Sequence, residues 1–351
     1  MNDAIPLLLL GGFLGSGKTT LLQSLLKHPR HARSAVIVNE FGEVGIDHLL
    51  VERLDDDIAL LDSGCICCAA SEDLIGTLNA LVKRVEQGDI PAFDRVWIET
   101  SGLVDPSPVL LALSSRPDLD KRFESPRLIT VADAVHGRET LAQQKENATQ
   151  LAMADVLVIS KVDLADPSWI SLFEAELRSM NPAAAIFQIS KGMVNDTVLE
   201  AMVNNTSRPD ILSKLTQIPA RPRAELPTDL ASASMHSSDI ASFVLREDRP
   251  LPLGVFLEWL TLLLANRGGD ILRVKGFLKS DYSGPLLIHG VQHVVYPIEQ
   301  LDQWPTGINQ GTQLVMITRS LPKDCVERSF RRLWEQEFFA ANPNLAATIQ
   351  H

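Results

Sequence analysis

Residues 7–22 read Leu-Leu-Leu-Leu-Gly-Gly-Phe-Leu-Gly-Ser-Gly-Lys-Thr-Thr-Leu-Leu, an apolar strand running into glycines and then into a helical pattern. The spacing Gly12-x4-Gly17-Lys18-Thr19 suits a loop that cradles phosphate. Glycines let successive amides turn inward around anionic oxygens, and the helix that follows offers the positive end of its dipole. In such a loop Gly12, Gly15, Ser16 and Gly17 line the anion and Thr20 borders it. Lys18 reaches the β- and γ-phosphates, and the Thr19 hydroxyl binds Mg2+. A glycine-rich turn with a chance lysine is the alternative, and the strand–loop–helix context weighs against it.

The rest of the chain fits this frame. Apolar runs at IPLLLL, SAVIVN, DIALLD, DRVWIE, RLITVAD, DVLVIS and AAIFQIS alternate with helically spaced segments such as KTTLLQSLLKH, EDLIGTLNALVKRVEQG and PSWISLFEAELRSM. Near-continuous apolar strands separated by helices predict an α/β fold: a mostly parallel P-loop NTPase sheet with helices on both faces, in a domain over 1–204. Residues 205–236, rich in Pro, Ser and Ala, read as a linker. Strand, helix, several strands and a helix near 323–337 then predict a smaller C-terminal α+β domain over 237–340, with 341–351 as a tail. Within it His289 and His293, four apart, are expected on one face of a strand. That pattern fits a plain sheet face better than a small metal site.

Two strand ends carry chemistry. DVLVIS leads into Ser160-Lys161-Val162-Asp163. A carboxylate at Asp163 accepts from both N1–H and the 2-amino group of guanine, whereas adenine would leave it unpaired, so the pattern favours GTP over ATP. Lys161 is expected along the base and ribose, with Ser190, at the next strand end, as a further base contact. RVWIE ends at Glu99, the acid that holds the Mg2+ water shell, and Gly102 lets the backbone approach the γ-phosphate. After SAVIVN, the glycines and acids of NEFGEVGIDHLL suit a switch loop that orders around phosphate and metal, or else a solvated acidic loop.

Between these elements lies Cys65-Ile66-Cys67-Cys68, with both C-x-C and C-x-x-C spacings and Gly64 to permit a turn. Thiolates select Zn2+, Co2+ or Cu(I) over Mg2+. A structural zinc site needs a second knuckle, which the fourth cysteine, distant Cys325, does not provide. An incomplete site suits transient metal binding. A redox dithiol and inert packing are the alternatives.

Composition narrows the function class. A net charge of −12 argues against a general nucleic-acid or membrane-surface binder. No apolar stretch approaches the roughly 18 residues of a membrane helix, and the N-terminal run lacks a basic flank and a cleavage site. A cytoplasmic location is expected, with adjacent thiols indicating metal or redox chemistry rather than disulfides.

In order, GFLGSGKTTLL, NEFGEVGID, SGCICC, WIETSGLVDP and SKVD, followed by ILRVKGFL, GVQHVVYP and LVMITRSLP, resemble the CobW-type family of metal-handling GTPases, most closely its YjiA-like bacterial members. The resemblance spans roughly 5–335. It implies a GTPase that hydrolyses GTP to GDP and phosphate, with Lys18, Thr19 and Glu99 at the reacting phosphates and Mg2+. It further implies a metallochaperone in which Cys65, Cys67 and Cys68 hold zinc, or another ion such as Co2+, for a client metalloprotein docked with help from the C-terminal domain. Glu40, Glu43 and His48 are candidate additional ligands. No residue stands out for activating water, so slow turnover without a partner is expected. A zinc-responsive regulatory GTP-binding protein and a redox-sensing NTPase are the rival readings, and self-association is left open. Two departures from the family pattern stand out. Only eight histidines are present, without a His-rich tract, and Ser160 stands where guanine-reading loops more often have Asn, losing one amide contact.

Overall fold

A computed structural model describes residues 4–31, 33–38, 59–62, 71–102, 105–114, 119, 122–203, 239–305 and 308–341, with backbone only at 30, 59–62, 71–73, 201 and 333–341. The expected linker, 205–236, and the tail beyond Ala341 lie outside these residues, as do Glu40, Glu43, His48 and all three clustered cysteines. The chain divides into two compact units, one carrying the described residues to 203 and the other those from 239.

The first unit is built on β1 (Leu7–Gly12), all six of whose residues are buried. It pairs in parallel with β4 (Arg95–Glu99) on one side and β5 (Arg127–Asp133) on the other. With β2 (Ser34–Val38), β3 (Ala59–Asp62), β6 (Val156–Ser160) and β7 (Ala185–Gln188) it forms a parallel seven-stranded sheet, order β3-β2-β4-β1-β5-β6-β7. The seven apolar runs of the sequence are these seven strands.

Side-chain alternation explains why β1 is leucine throughout. Leu8 and Leu10 pack with Leu21, Leu22 and Leu25 of α1 (Lys18–Leu26) and with Val198, Leu199 and Met202 of α7 (Asp196–Val203). Leu7 and Leu9, pointing the other way, are equally buried. Strands buried on both faces carry no polar alternation. Among the described residues the remaining α-helices of this unit are α2 (Ser71–Gln87), α3 (Ser107–Ser114), α4 (Gly137–Gln143), α5 (Lys145–Met153) and α6 (Pro167–Met180). Helix α6 begins where expected because Asp166 accepts the Ser168 amide at 2.8 Å and Pro167 occupies the first turn.

The second unit is an antiparallel sheet of β8 (Ile240–Glu247), β9 (Ile271–Leu278), β10 (Leu286–Val291), β11 (Val294–Val295), β12 (Glu299–Gln300) and β13 (Thr312–Arg319), order β11-β10-β9-β13-β8 with β12 beside β10. Helices α8 (Leu253–Arg267) and α9 (Lys323–Ala341) close its core, in which Trp259, Phe256 and Phe330 meet Val274, Ile288 and Met316. This is the smaller α+β domain, with its last helix longer than expected.

The expected pairing of His289 and His293 on one strand face is incorrect. Only His289 is in a strand, where its ring stacks on Tyr296 at 4.3 Å. His293 sits in the β10–β11 turn beside Gln292, whose φ is +48°, and its Nδ1 lies 3.0 Å from the Leu264 carbonyl. No helix among the described residues is long and apolar enough to cross a membrane.

Candidate functional site

The loop between β1 and α1 gathers most of the expected site residues. Gly12 turns the chain at φ +135°, and a Cβ there would lie 2.4 Å from the Val131 carbonyl oxygen, so no other residue fits. Lys18 is buried and its Nζ donates to the carbonyls of Gly12 (2.9 Å) and Phe13 (3.1 Å), which folds the ammonium over the loop. Helix α1 starts at Gly17 with no side-chain cap, leaving its first amides directed at the loop. Ser16 Oγ is buried and has no hydrogen-bond partner, an orphaned polar atom inside the loop. A Cβ on Gly15 would meet nothing within 4 Å, so the mouth of the loop is open. An uncapped helix start, an unsatisfied hydroxyl and a folded-in lysine together fit a phosphate group.

Parallel register brings the acid to the same place. Glu99, the last residue of β4, is buried beside Leu10 of β1, and its Oε1 accepts from the Thr19 hydroxyl at 2.8 Å. A hydroxyl and a carboxylate in contact at the first turn of α1 are hard oxygen ligands that could hold a divalent cation such as Mg2+. Gly102 borders the same loop. A Cβ there would come within 2.6 Å of the Leu14 amide, so this glycine lets the segment after β4 lie against the loop.

At the other flank Ser160 ends β6 with its hydroxyl buried. It donates to the Ser16 carbonyl at 2.6 Å and so braces the loop. Lys161, at φ +57°, extends its ammonium to the Gly15 carbonyl and to Asp133 Oδ2, both at 2.6 Å. Asp163 is exposed and accepts from the Ser190 hydroxyl and the Lys191 amide. Desolvation alone would raise its pKa, but these hydrogen bonds, its own amide and the Lys191 charge together hold it below the ordinary aspartate value. The carboxylate is therefore ionised and faces solvent beside Ser190. Thr20 packs against Gly192 of the same turn.

Two residues escaped the sequence reading. Asp133 ends β5 opposite Ser160 and anchors Lys161, and an acid closing an apolar strand is the signal that could have found it. Gln150 of α5 accepts the Gly12 amide at 2.9 Å, with no local pattern to mark it.

Three strands end together at this edge of the parallel sheet. Val38, at the end of β2, is in register with Glu99 of β4 and with Asp62 of β3. The segment expected to act as a switch follows Val38 in the chain, and Cys65 follows Asp62 by three residues.

Residues 6–188 match the CobW/HypB/UreG nucleotide-binding domain, and residues 240–333 match the C-terminal domain of the cobalamin synthesis protein cobW. The zinc chaperone YjiA of Escherichia coli (strain K12) is 31% identical over 332 residues, covering 94% of this chain and 99% of that protein. Zinc-regulated GTPase metalloprotein activator 1 of Schizosaccharomyces pombe is 26% identical over 348 residues, 91% of this chain and 83% of the relative. The crystal structure of Zn(II)-bound YjiA GTPase from E. coli matches at 27% identity with a TM-score of 0.69, over 95% of this chain and 99% of that one.

Proposed function

The chain belongs to the CobW/HypB/UreG family, with a CobW C-terminal domain, and from that premise we propose that it is a GTP-hydrolysing metallochaperone for zinc. Cys65, Cys67 and Cys68 hold the ion and pass it to a client metalloprotein. The observation that carries this reading is the register of β2, β3 and β4 at one end of the sheet. Val38 and Asp62, from which the switch and cysteine segments depart, stand in line with Glu99, the residue touching Thr19.

Lys18 and the amides of Gly15 and Gly17 bind the phosphates of GTP, with Gly12 shaping the loop and the Ser16 hydroxyl lining it, while Lys161, Asp163 and Ser190 take the base. Thr19 and, through water, Glu99 would hold Mg2+, which supplies charge neutralisation between the β- and γ-phosphates. Residues 39–51 respond to the γ-phosphate and position the cysteine segment, with Glu40, Glu43 or His48 as a further ligand. Loss of the γ-phosphate releases the switch and lowers the affinity for zinc, so that hydrolysis times delivery. Without a partner the hydrolysis is slow, since the loop supplies no obvious group to orient water. The names of two relatives as zinc chaperones or zinc-regulated activators support zinc as the cargo over Co2+.

Competitive chelator titration with Zn2+ tests the reading on the full chain loaded with a non-hydrolysable GTP analogue and with GDP. The GTP-analogue form is expected to bind zinc at least about tenfold more tightly, and Cys67→Ala to abolish the difference. Equal affinity in the two states would sink the delivery mechanism.

A further inference from the structure

The groove between α8 and α9 in the second unit has an apolar floor and a cationic rim. It encloses about 690 Å3. Its lining positions step by three and four along both helices, at 259, 262, 263 and 266 on α8 and at 325, 328, 329 and 332 on α9. Each helix therefore turns one face to the same trough. Trp259 is held at the base by edge-on contact with Phe330 at 4.9 Å and by a 3.2 Å hydrogen bond from its indole to Ser329. Leu263 is half-buried beside it, while Leu262 remains 50% exposed.

Around this floor stand Arg267, Arg328 and Arg332. Arg267 is ion-paired with Asp270 at 2.6 Å. Arg328 donates only to Cys325 Sγ at 3.6 Å, and neither it nor Arg332 meets a carboxylate among the described residues. Arg328 and Arg332 thus set two positive charges on one trough of a chain whose net charge is −12. The apolar trough between two helix faces matches an amphipathic segment lying alongside them. A nucleic-acid surface would need a wider basic field than three arginines and no leucine floor.

We infer that this groove docks an acidic amphipathic segment of the client protein, with apolar side chains on Leu262 and Leu263 above buried Trp259 and carboxylates on Arg328 and Arg332. This rests on the proposed role as a delivery protein, since it assigns the surface by which the recipient is held. Exposed arginines give bidentate, planar recognition of carboxylates, so complementarity of charge sets partner choice while the leucine contacts set residence.

The test uses the full chain and a fluorescein-labelled helical peptide of about 18 residues, with leucines along one face and glutamates on the other. A second peptide carries lysines in place of the glutamates. The glutamate peptide is expected to bind and to slow alkylation of Cys325, followed by peptide mapping. Arg328→Glu with Arg332→Glu should weaken it at least about tenfold and make the lysine peptide the better ligand, and Leu262→Asp should weaken both. These side chains are exposed, so folding is not at stake. Glutamate and lysine peptides binding alike would overturn the inference, as would an affinity unmoved by charge reversal. So would displacement of the peptide by an equimolar DNA duplex, or a wild-type dimer that the arginine variants convert to monomer. GTP turnover and the zinc difference between nucleotide states are expected unchanged in the arginine variants. Absence of that zinc difference in the wild type would count against the chaperone reading alone, leaving the peptide result to be judged separately.

Discussion

At the residue scale, the hydrogen bond from the Gly12 amide to Gln150 decides how well the phosphate loop is held. Both groups are buried, so Gln150→Leu leaves an unsatisfied amide at the base of the loop. It should cost about 1–3 kcal/mol in stability and weaken binding of a fluorescent GDP analogue, measured by denaturant melts and by titration. The loop itself was legible in the sequence because glycines at 12 and 17 answer to backbone geometry that is local. Gln150 was not, because its partner is 138 residues away and a glutamine facing inward resembles any other in a helix. A second residue sets a pH response. His31 is 2% exposed beside Trp97, and burial first, then the nearby Arg95 charge and His28, lower its pKa from 6.5 to about 4. The unfolded chain therefore takes up this proton before the folded one does. The contribution of His31 is intact above pH 6.5 and is lost as pH falls toward 4, amounting to about 3 kcal/mol at the acid end. In guanidinium melts from pH 7.5 to pH 4.5, His31→Phe should lose less stability than the wild type does.

At the element scale, one buried amide couples two helices to that loop. Asn181, just after α6, donates from Nδ2 to the carbonyls of Leu151 (2.9 Å), Ala152 (3.0 Å) and Ala154 (2.9 Å) around the end of α5. Helix α5 in turn carries Gln150. Asn181→Ala should destabilise by about 2–3 kcal/mol by orphaning these carbonyls, and it should loosen nucleotide binding through α5. Asn181→Asp, which sets a carboxylate against the same oxygens, should be worse, and thermal melts with and without GDP distinguish the two effects. The elements that sequence reasoning found and missed differ in kind. The strands were readable because two-sided burial writes continuous apolar runs. Helix α5 was not, because all seven residues from Asn147 to Met153 are buried, polar and apolar alike, which erases the amphipathic stripe. Short α3, apolar nearly throughout, leaves equally little periodicity. The misplacement of His293 has a similar origin, since the turn at Gln292 uses a left-handed glutamine where glycine or asparagine would have announced it.

At the scale of the whole molecule, the test of a delivery cycle is whether its two ligands obey one coupling free energy. Register sets Val38 and Asp62, after which the proposed switch and cysteine segments follow in the chain, in line with Glu99. If GTP tightens zinc about tenfold, the coupling is about 1.4 kcal/mol, and linkage then requires zinc to tighten a GTP analogue, relative to GDP, by the same factor. Four titrations close the cycle: zinc onto each nucleotide form, and each nucleotide onto the zinc-loaded and zinc-free chain. Equal factors on opposite sides are expected, and both should fall to one in Cys67→Ala while GDP affinity stays within error. Thr19→Ala separates the causes, because it disturbs the γ-phosphate end and leaves the thiolates intact. Zinc affinity in the GDP form should be unchanged there, while the gain on adding the GTP analogue disappears. A gain that survives in Thr19→Ala would mean that zinc senses the base or the loop rather than the γ-phosphate. Hydrolysis would then have no means of releasing the ion.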